Sequence, residues 1–477
     1  MSCGQKPLST KLHPPVHELG GNPVKRTTTR VFALAMAGAL TIAACGGDDD
    51  STTSEAPSTE APTSEAPTSE APSTEAPADT WAVDTADCVD PDGAEAPIEG
   101  TIKIGSAMPL SGGVAATAFA PVKDGFEAYI AWANEQKMLG DVTIEVQIED
   151  DQYNKDLTPA AVEKLLDSGA NVFSGIIGTP NNAAVRDLLN EECYPQLLAL
   201  TGSPSWGNAE EYPWTTGLLI PYTVEAKAYA ALIAERFPDG ANVAVFVVNN
   251  EFGQVYAEAF KEIAPDYGIT IVDEQTIEAT DSAPPVAQVN AIAAKAPDAV
   301  LAVPLGAGCA TFLSEMAAAK AANAGWAPEM YLTNTCSSSL ILGLAGAAAD
   351  GLYTSNNLVD VLDPETAALP AVAEYLAYME SLGKSDIVTT ATAGWHAAEM
   401  TVAILKQAQE SGVLSRASII NAARNFDQVG SLTRDGVRMK MNGVADQFIA
   451  ESLQVVQYDA DTKLFTDIGE LITEFES

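Results

Sequence analysis

Hydrophobic and polar positions along residues 98–477 repeat with the periods of alternating strands and helices. Apolar and polar residues alternate over 142–148, which predicts a strand with one wet face, as at a sheet edge. Residues 243–248 are apolar throughout, which is typical of a buried parallel strand. Apolar residues spaced by three and four over 122–133 predict a helix with one buried face.

This strand and helix pattern occurs twice along the chain. The first set covers about 102–200, the second covers about 243–332, and long helices follow around 371–382 and 392–410. Repeated alternation of this kind predicts an α/β fold with two doubly wound parallel-sheet lobes. Two such units form a cleft between them, where ligands bind at the carboxyl ends of strands.

The N-terminus has the features of an export signal. Lys25, Arg26 and Arg30 precede an apolar run of 14 residues, Val31–Ala44, which is too short to span a bilayer. The run ends in Ile-Ala-Ala and Cys45 follows it, and this resembles the bacterial lipobox, in which the cysteine is lipidated before cleavage. We therefore predict a lipoprotein signal peptide over 1–44, with a true start near Val24, and lipidation of Cys45. The alternative is an ordinary signal peptide that happens to contain a cysteine.

A polar, acidic segment follows the signal. A five-residue repeat carries Glu-Ala-Pro, and residues 46–97 contain 14 acidic residues and no basic one. Such a composition cannot bury a core, and like charges extend it. We predict a disordered linker over 45–97 that holds the folded body away from the membrane, so that the lipid is its only membrane contact.

Charge and motifs exclude several classes of function. The chain has 24 basic and 65 acidic residues, a net charge of −41, which excludes a nucleic-acid binder. With three histidines in the whole chain we expect no multi-histidine metal site, and His396 is interpreted as a packed helix residue. An acidic stretch at 88–99 has the register of a calcium loop but places a cysteine at the first ligand position. With neither a P-loop nor a GxSxG motif, we predict no enzyme activity, cofactor or metal.

Four cysteines remain after the first two are assigned to the leader and the lipid. Export permits disulfides, and four cysteines allow three connectivities. Cys309 and Cys336 each follow a strand-like run, and neighbouring parallel strands place such ends close together. This favours Cys309–Cys336, and Cys88–Cys193 follows by elimination.

Several segments of the body resemble one family in order and spacing. They are Ile102–Gly105, Pro109–Gly112, a helix containing Gly125, Ile148–Tyr153, Ile176–Asn182, Val245–Gly253 and Ala296–Val300. Together they resemble type I periplasmic binding proteins of the leucine/isoleucine/valine-binding family, over about residues 98–470.

The resemblance implies a fold and a domain organisation. The two lobes would be 98–220 plus 353–440 and 221–352 plus 441–477, joined by a three-strand hinge. It also implies an extracytoplasmic solute-binding protein that captures a small polar ligand by lobe closure. The partners would be the permease and ATPase subunits of an ABC importer. The alternative is a ligand-sensing receptor subunit of a signalling system.

The same resemblance implies the binding residues. A ligand carboxylate would meet lobe 1 loops, and an aromatic side chain would stack from lobe 2. The matching positions are Ser111, Gly112, Phe119, Thr179, Asn181, Thr201, Gly202, Ser203, Phe252, Asn334 and Thr335. The family's acidic partner for a ligand ammonium should lie near Asn334, where this chain has no carboxylate. Neutral amides, ureas and carboxylic acids therefore become comparable to amino acids as ligands, unless Asp150 or Asp151 substitutes as the counter-charge.

Overall fold

The computed structural model describes residues 80–450 and 452–473. The predicted signal peptide, Cys45 and the Glu-Ala-Pro repeat lie outside these residues. Within them, no helix has the length and apolar character needed to cross a membrane.

Five parallel strands form the first sheet. They are β1 (Thr101–Met108), β2 (Thr143–Asp150), β3 (Val172–Ser174), β4 (Gln196–Ala199) and β5 (Thr215–Gly217). Their spatial order is β2-β1-β3-β4-β5, so β2 lies at an edge, as its alternating sequence predicts. The central strands β3 and β4 are buried throughout, as expected for strands covered on both faces.

Seven strands form the second sheet, and a two-stranded ribbon stands apart from it. In chain order the strands are β6 (Ala241–Val248), β7 (Ile269–Ile277), β8 (Ala299–Val303), β9 (Glu329–Leu332), β10 (Tyr353–Ser355), β11 (Asn425–Gln428), β12 (Met439–Asn442), β13 (Ser452–Asp459) and β14 (Leu464–Thr473). The sheet has the order β14-β13-β10-β9-β8-β6-β7, and β11 pairs with β12. The prediction of two α/β lobes is confirmed. The second sheet is mixed, however, because β13 runs antiparallel to both β10 and β14. A short connection such as the one between β13 and β14 permits only antiparallel pairing.

Thirteen α-helices cover the described sheets. They are α1 (Pro91–Glu95), α2 (Ala115–Glu135), α3 (Thr158–Asp167), α4 (Thr179–Glu191), α5 (Tyr222–Arg236), α6 (Glu251–Ile263), α7 (Val286–Lys295), α8 (Gly308–Ala322), α9 (Ser339–Gly343), α10 (Pro364–Ala367), α11 (Pro370–Ser381), α12 (Val388–Glu410) and α13 (Arg416–Arg424). The helices predicted from the 3.6-residue period all form.

Helices α2 and α12 cross at close range through two glycines. A Cβ atom at Gly125 would lie 2.0 Å from the carbonyl oxygen of Ala391, and one at Gly394 would lie 1.8 Å from that of Val122. Only glycine permits this backbone approach. The crossing joins α12, which lies between β10 and β13 of the second sheet in the chain, to α2 of the first lobe.

The chain passes between the two sheets three times. It leaves the first lobe after β5, returns after β10, and enters the second sheet again at β13. Residues 353–355 therefore pair within the second sheet rather than the first lobe. Residues 441–442 pair with β11, whose neighbour Arg424 donates hydrogen bonds to carbonyl oxygens of residues 212–215 in the first lobe. The family resemblance places these two boundaries at 353 and 441, before these strand pairings.

Residues 80–97, expected to be part of the disordered linker, are attached to the first lobe. The structure contains the disulfide Cys88–Cys193, and the amide of Val83 donates to Oδ1 of Asn421 at 2.8 Å. Ala94 of α1 is fully buried. A covalent link and buried contacts offset the unfavourable acidic composition of this segment. The second disulfide is Cys309–Cys336, so both pairings are those favoured from the sequence.

Candidate ligand-binding site

A cavity of about 200 Å³ lies where the carboxyl ends of the strands of the two sheets face each other. The first lobe contributes α2, α12 and the loops after β3, β4 and β5. The second contributes α6, the loops after β8 and β9, β10 and β14. Its wall is mainly apolar: Ala118, Phe119, Val122, Ile177, Leu200, Leu218, Ile220, Tyr222, Phe252, Leu305, Ile341, Val359, Val361, Ala393, Met439 and Phe465. An apolar wall with a few polar groups is the usual composition of a small-molecule site.

The polar part of the wall contains hydroxyls, amides and one histidine. Among the described lining residues there is no lysine or arginine, and Asp360 is the one carboxylate. Both oxygens of Asp360 accept backbone N–H groups, from Leu362 and Phe465. The cavity therefore offers a bound anion no positive side chain.

Four polar side chains of the wall hold buried atoms without a hydrogen-bond partner in the described part of the chain. They are Oδ1 of Asn334, Oγ1 of Thr335, Oδ1 of Asn357 and both ring nitrogens of His396. Buried polar atoms are nearly always paired with protein or water, so unpaired ones that line a cavity indicate the positions where a bound molecule or water completes the pairing.

His396 is the residue that sequence reasoning assigned to helix packing. It lies on α12 and is only 4 % exposed, but its ring lines the cavity. Burial lowers the pKa of His396 to about 4, so the ring is neutral at pH 7. A neutral imidazole has one N–H donor and one acceptor nitrogen. No sequence motif distinguishes this histidine from a packed one.

A buried carboxyl group lies behind the wall. Oε1 of Glu225 on α5 accepts the hydroxyl of Tyr229 at 2.6 Å, the amide of Asn334 at 2.9 Å and the hydroxyl of Ser355. Asn334 and Ser355 both line the cavity. Burial raises the pKa of Glu225 to about 7. The sequence analysis does not identify Glu225, because only the tertiary structure brings α5 against the loop after β9.

Family comparison assigns this architecture. The family model described as periplasmic binding protein matches residues 101–463, about three quarters of the chain. The chain belongs to the periplasmic binding protein family. The predicted resemblance is thus confirmed, and membership places the chain among extracytoplasmic ligand-binding proteins rather than enzymes. No curated protein sequence matches it.

Solved structures of other binding proteins share the fold. A branched-chain amino acid ABC transporter protein from Thermus thermophilus with bound valine has a TM-score of 0.69 at 20 % identity, with 79 % of this chain and 97 % of that one covered. A fatty acid ABC transporter substrate-binding protein from Thermomonospora curvata gives 0.67 at 19 % identity, with 80 % and 95 % covered. A solute-binding protein from R. palustris in complex with benzoate gives 0.66 at 19 % identity, with 79 % and 98 % covered. At such identities the likeness concerns the fold.

The structure brings four of the predicted binding residues into the cavity of this binding protein. Phe119, Phe252, Asn334 and Thr335 line it. The other seven positions, Ser111, Gly112, Thr179, Asn181, Thr201, Gly202 and Ser203, are not part of its wall. Ser111 instead donates its hydroxyl to Asp150, and Gly112 is exposed.

Tyr222 lines the cavity and contacts Thr179 and Thr201, whose own side chains are not part of the wall. The hydroxyls of Thr179 and Thr201 bond to each other at 2.6 Å, and the hydroxyl of Tyr222 interacts with both. A Cβ atom at Gly202 would lie 2.7 Å from the Tyr222 ring. We call Thr179, Thr201 and Tyr222 the threonine cluster. Its hydroxyl groups are paired within the chain, where the resemblance predicts contacts to a ligand.

Asp150 and Asp151, the candidate counter-charges, have partners within the first lobe. Asp151 is fully buried, and it accepts the hydroxyl of Thr158 at 3.0 Å and the side-chain amide of Asn181 at 2.8 Å. Asp150 accepts backbone N–H groups of the loop at 110–111. Neither lines the cavity.

Proposed function

We propose that this chain is the lipid-anchored, solute-binding component of an ABC importer and that it carries a small, predominantly apolar molecule. The observation that carries the proposal is the cavity between the two lobes, with an apolar wall contributed by both. Solved relatives named as proteins of branched-chain amino acid and fatty acid ABC transporters support it.

Lobe closure is the proposed mechanism. A molecule that contacts α12 and the loop at 334–339 at once binds the closed arrangement better than an open one. It therefore shifts the population toward closure, and the three chain crossings act as the hinge. The permease would then recognise the closed form.

The lipid anchor is a separate part of the proposal. It rests on the basic residues that precede the apolar run, on the 14-residue length of that run and on Cys45. We expect the mature chain to begin at Cys45 with a diacylglyceryl group. The mass of the N-terminal peptide tests this, and a mature N-terminus at any other residue would contradict it.

Thermal unfolding of the full chain tests ligand binding. Each probe combines a polar head group with a hydrocarbon portion, and the set is leucine, phenylalanine, hexanoate, benzoate, hexanamide and benzamide. A probe at about 100 times its dissociation constant should add about 2.7 kcal/mol to the free energy of unfolding. Urea and glycine serve as polar controls without an apolar body. If no apolar probe shifts unfolding, or if the polar controls shift it more, the proposed function fails.

A further inference from the structure

We propose that His396 selects a ligand with an uncharged hydrogen-bonding group, a carboxamide or a hydroxyl, and that the cavity discriminates against carboxylates. The inference rests on the proposed function and names the ligand class of the same cavity. It makes His396 a specificity-determining residue.

The charges around the cavity disfavour an anion. The described wall holds no basic side chain, and Asp360 is part of it. Glu225 lies directly behind Asn334 and Ser355, and half-buried Glu399 lies one turn after His396 on α12. A carboxylate bound here would lose water without gaining a counter-charge, and the ionised fraction of these three carboxyl groups would repel it.

The surroundings of His396 leave it a ligand-facing nitrogen. Gly430 lies against one edge of the ring, because a Cβ atom there would be 2.7 Å from Cε1 and 2.8 Å from Nδ1. That edge faces the loop, which leaves Nε2 for a bound molecule. In a neutral ring Nε2 is either a donor or an acceptor, depending on the tautomer, so it can pair with the carbonyl or the N–H of an amide, or with a hydroxyl. Oδ1 of Asn357, unpaired in the same wall, can accept from the same kind of group.

A zwitterionic amino acid fits this cavity poorly. Its carboxylate would need the donors of the threonine cluster, and these are paired with each other behind Tyr222. Its ammonium would find Asp360 alone as a carboxyl in the described wall; both oxygens of Asp360 already accept one backbone N–H group each, and burial raises its pKa, which disfavours the charged form. An uncharged head group needs neither partner.

Titration calorimetry of the full chain with probes of matched shape tests the inference. Benzamide, benzoate and benzylamine all contain a phenyl ring, and hexanamide, hexanoate and hexylamine all contain a linear alkyl group. We expect each amide to bind at least 10-fold more tightly than its carboxylate or amine. A carboxylate or amine that binds as tightly as its amide would overturn the inference and leave the proposed function standing. Failure of all six probes to bind would overturn the inference, and the proposed function fails with it if leucine and phenylalanine also leave unfolding unchanged.

Two variants assign the selectivity to His396. His396→Leu removes both ring nitrogens at similar volume, and we expect a 10- to 100-fold loss of amide binding. Toluene, which has no polar group, should bind the variant as well as it binds the parent chain. His396→Gln keeps an uncharged donor and acceptor and should retain amide binding within a few fold. Equal losses for benzamide and toluene, or an unchanged affinity of His396→Leu for benzamide, would contradict the assignment.

Discussion

Two polar regions of this binding protein differ in where their hydrogen bonds are made. In the threonine cluster, the hydroxyls of Thr179 and Thr201 bond to each other. In the cavity wall, by contrast, Thr335 and Asn334 hold oxygen atoms without a partner in the described chain. The same residue types are therefore structural in one place and available to a ligand in the other. Residue type and position in a family pattern do not decide between these roles, but the neighbours do.

The largest expected effect is on stability, and it concerns the buried hydrogen bonds that Asp151 accepts from Thr158 and Asn181. We expect Asp151→Ala to lower the free energy of unfolding by about 3 kcal/mol, because Thr158 and the amide of Asn181 lose a buried acceptor. Chemical denaturation measures this, and exposed Asp156→Ala is the matched control. The affinity for the best apolar probe should stay within twofold. Lost binding with unchanged stability would make Asp151 the ligand's counter-charge.

Filling the cavity should separate binding from folding. Ala393 on α12 lines the cavity, so Ala393→Phe should weaken binding of the best apolar probe by about 100-fold, or about 2.7 kcal/mol. Ala377→Phe, at an exposed position of α11, should bind as the parent does. Calorimetry compares the two. If both variants bind equally well, the ligand site lies elsewhere.

The pH dependence of stability tests the carboxyl behind the wall. Burial raises the pKa of Glu225 to about 7, above the value near 4.3 of an unfolded glutamate. The folded chain thus holds this proton more tightly, so the free energy of unfolding should fall as pH rises from about 5 to 8. Glu225→Gln should make this fall smaller by roughly 2 kcal/mol.

Exposed Glu235 on the same helix provides the control for this measurement, because Glu235→Gln should leave the slope unchanged. Burial also raises the pKa of Glu399 to about 7. The contribution of Glu399 to the pH dependence of stability is therefore present in both variants. Identical slopes for Glu225→Gln and the parent chain would show that Glu225 ionises normally.

The smallest effects compare the same substitution in both regions. Thr201→Val removes the hydrogen bond between the hydroxyls of Thr201 and Thr179. It should lower the free energy of unfolding by about 1 kcal/mol without changing probe affinity. Thr335→Val removes an unpaired hydroxyl and should leave stability within about 0.5 kcal/mol. We expect it to weaken amide binding about threefold to tenfold. The reverse pattern would place the binding site at the threonine cluster.

The sequence by itself determined the architecture where local periodicity carries the information. Alternation over 142–148 predicted the edge strand β2, and the 3.6-residue period predicted α2 and α12. The order of the family segments predicted two lobes with a cleft. Side-chain period depends on the backbone geometry of a single element, so these features can be inferred without knowledge of tertiary neighbours.

Only the tertiary structure decided which polar groups face the cavity. Glu225, Asn334 and Ser355 come from three distant parts of the chain, and Tyr222 lies over Thr179 and Thr201 for the same reason. The attachment of residues 80–97 and the antiparallel β13 likewise depend on long-range pairing. A buried polar atom is free for a ligand only when no neighbour satisfies it, and neighbours are set by packing rather than by local pattern.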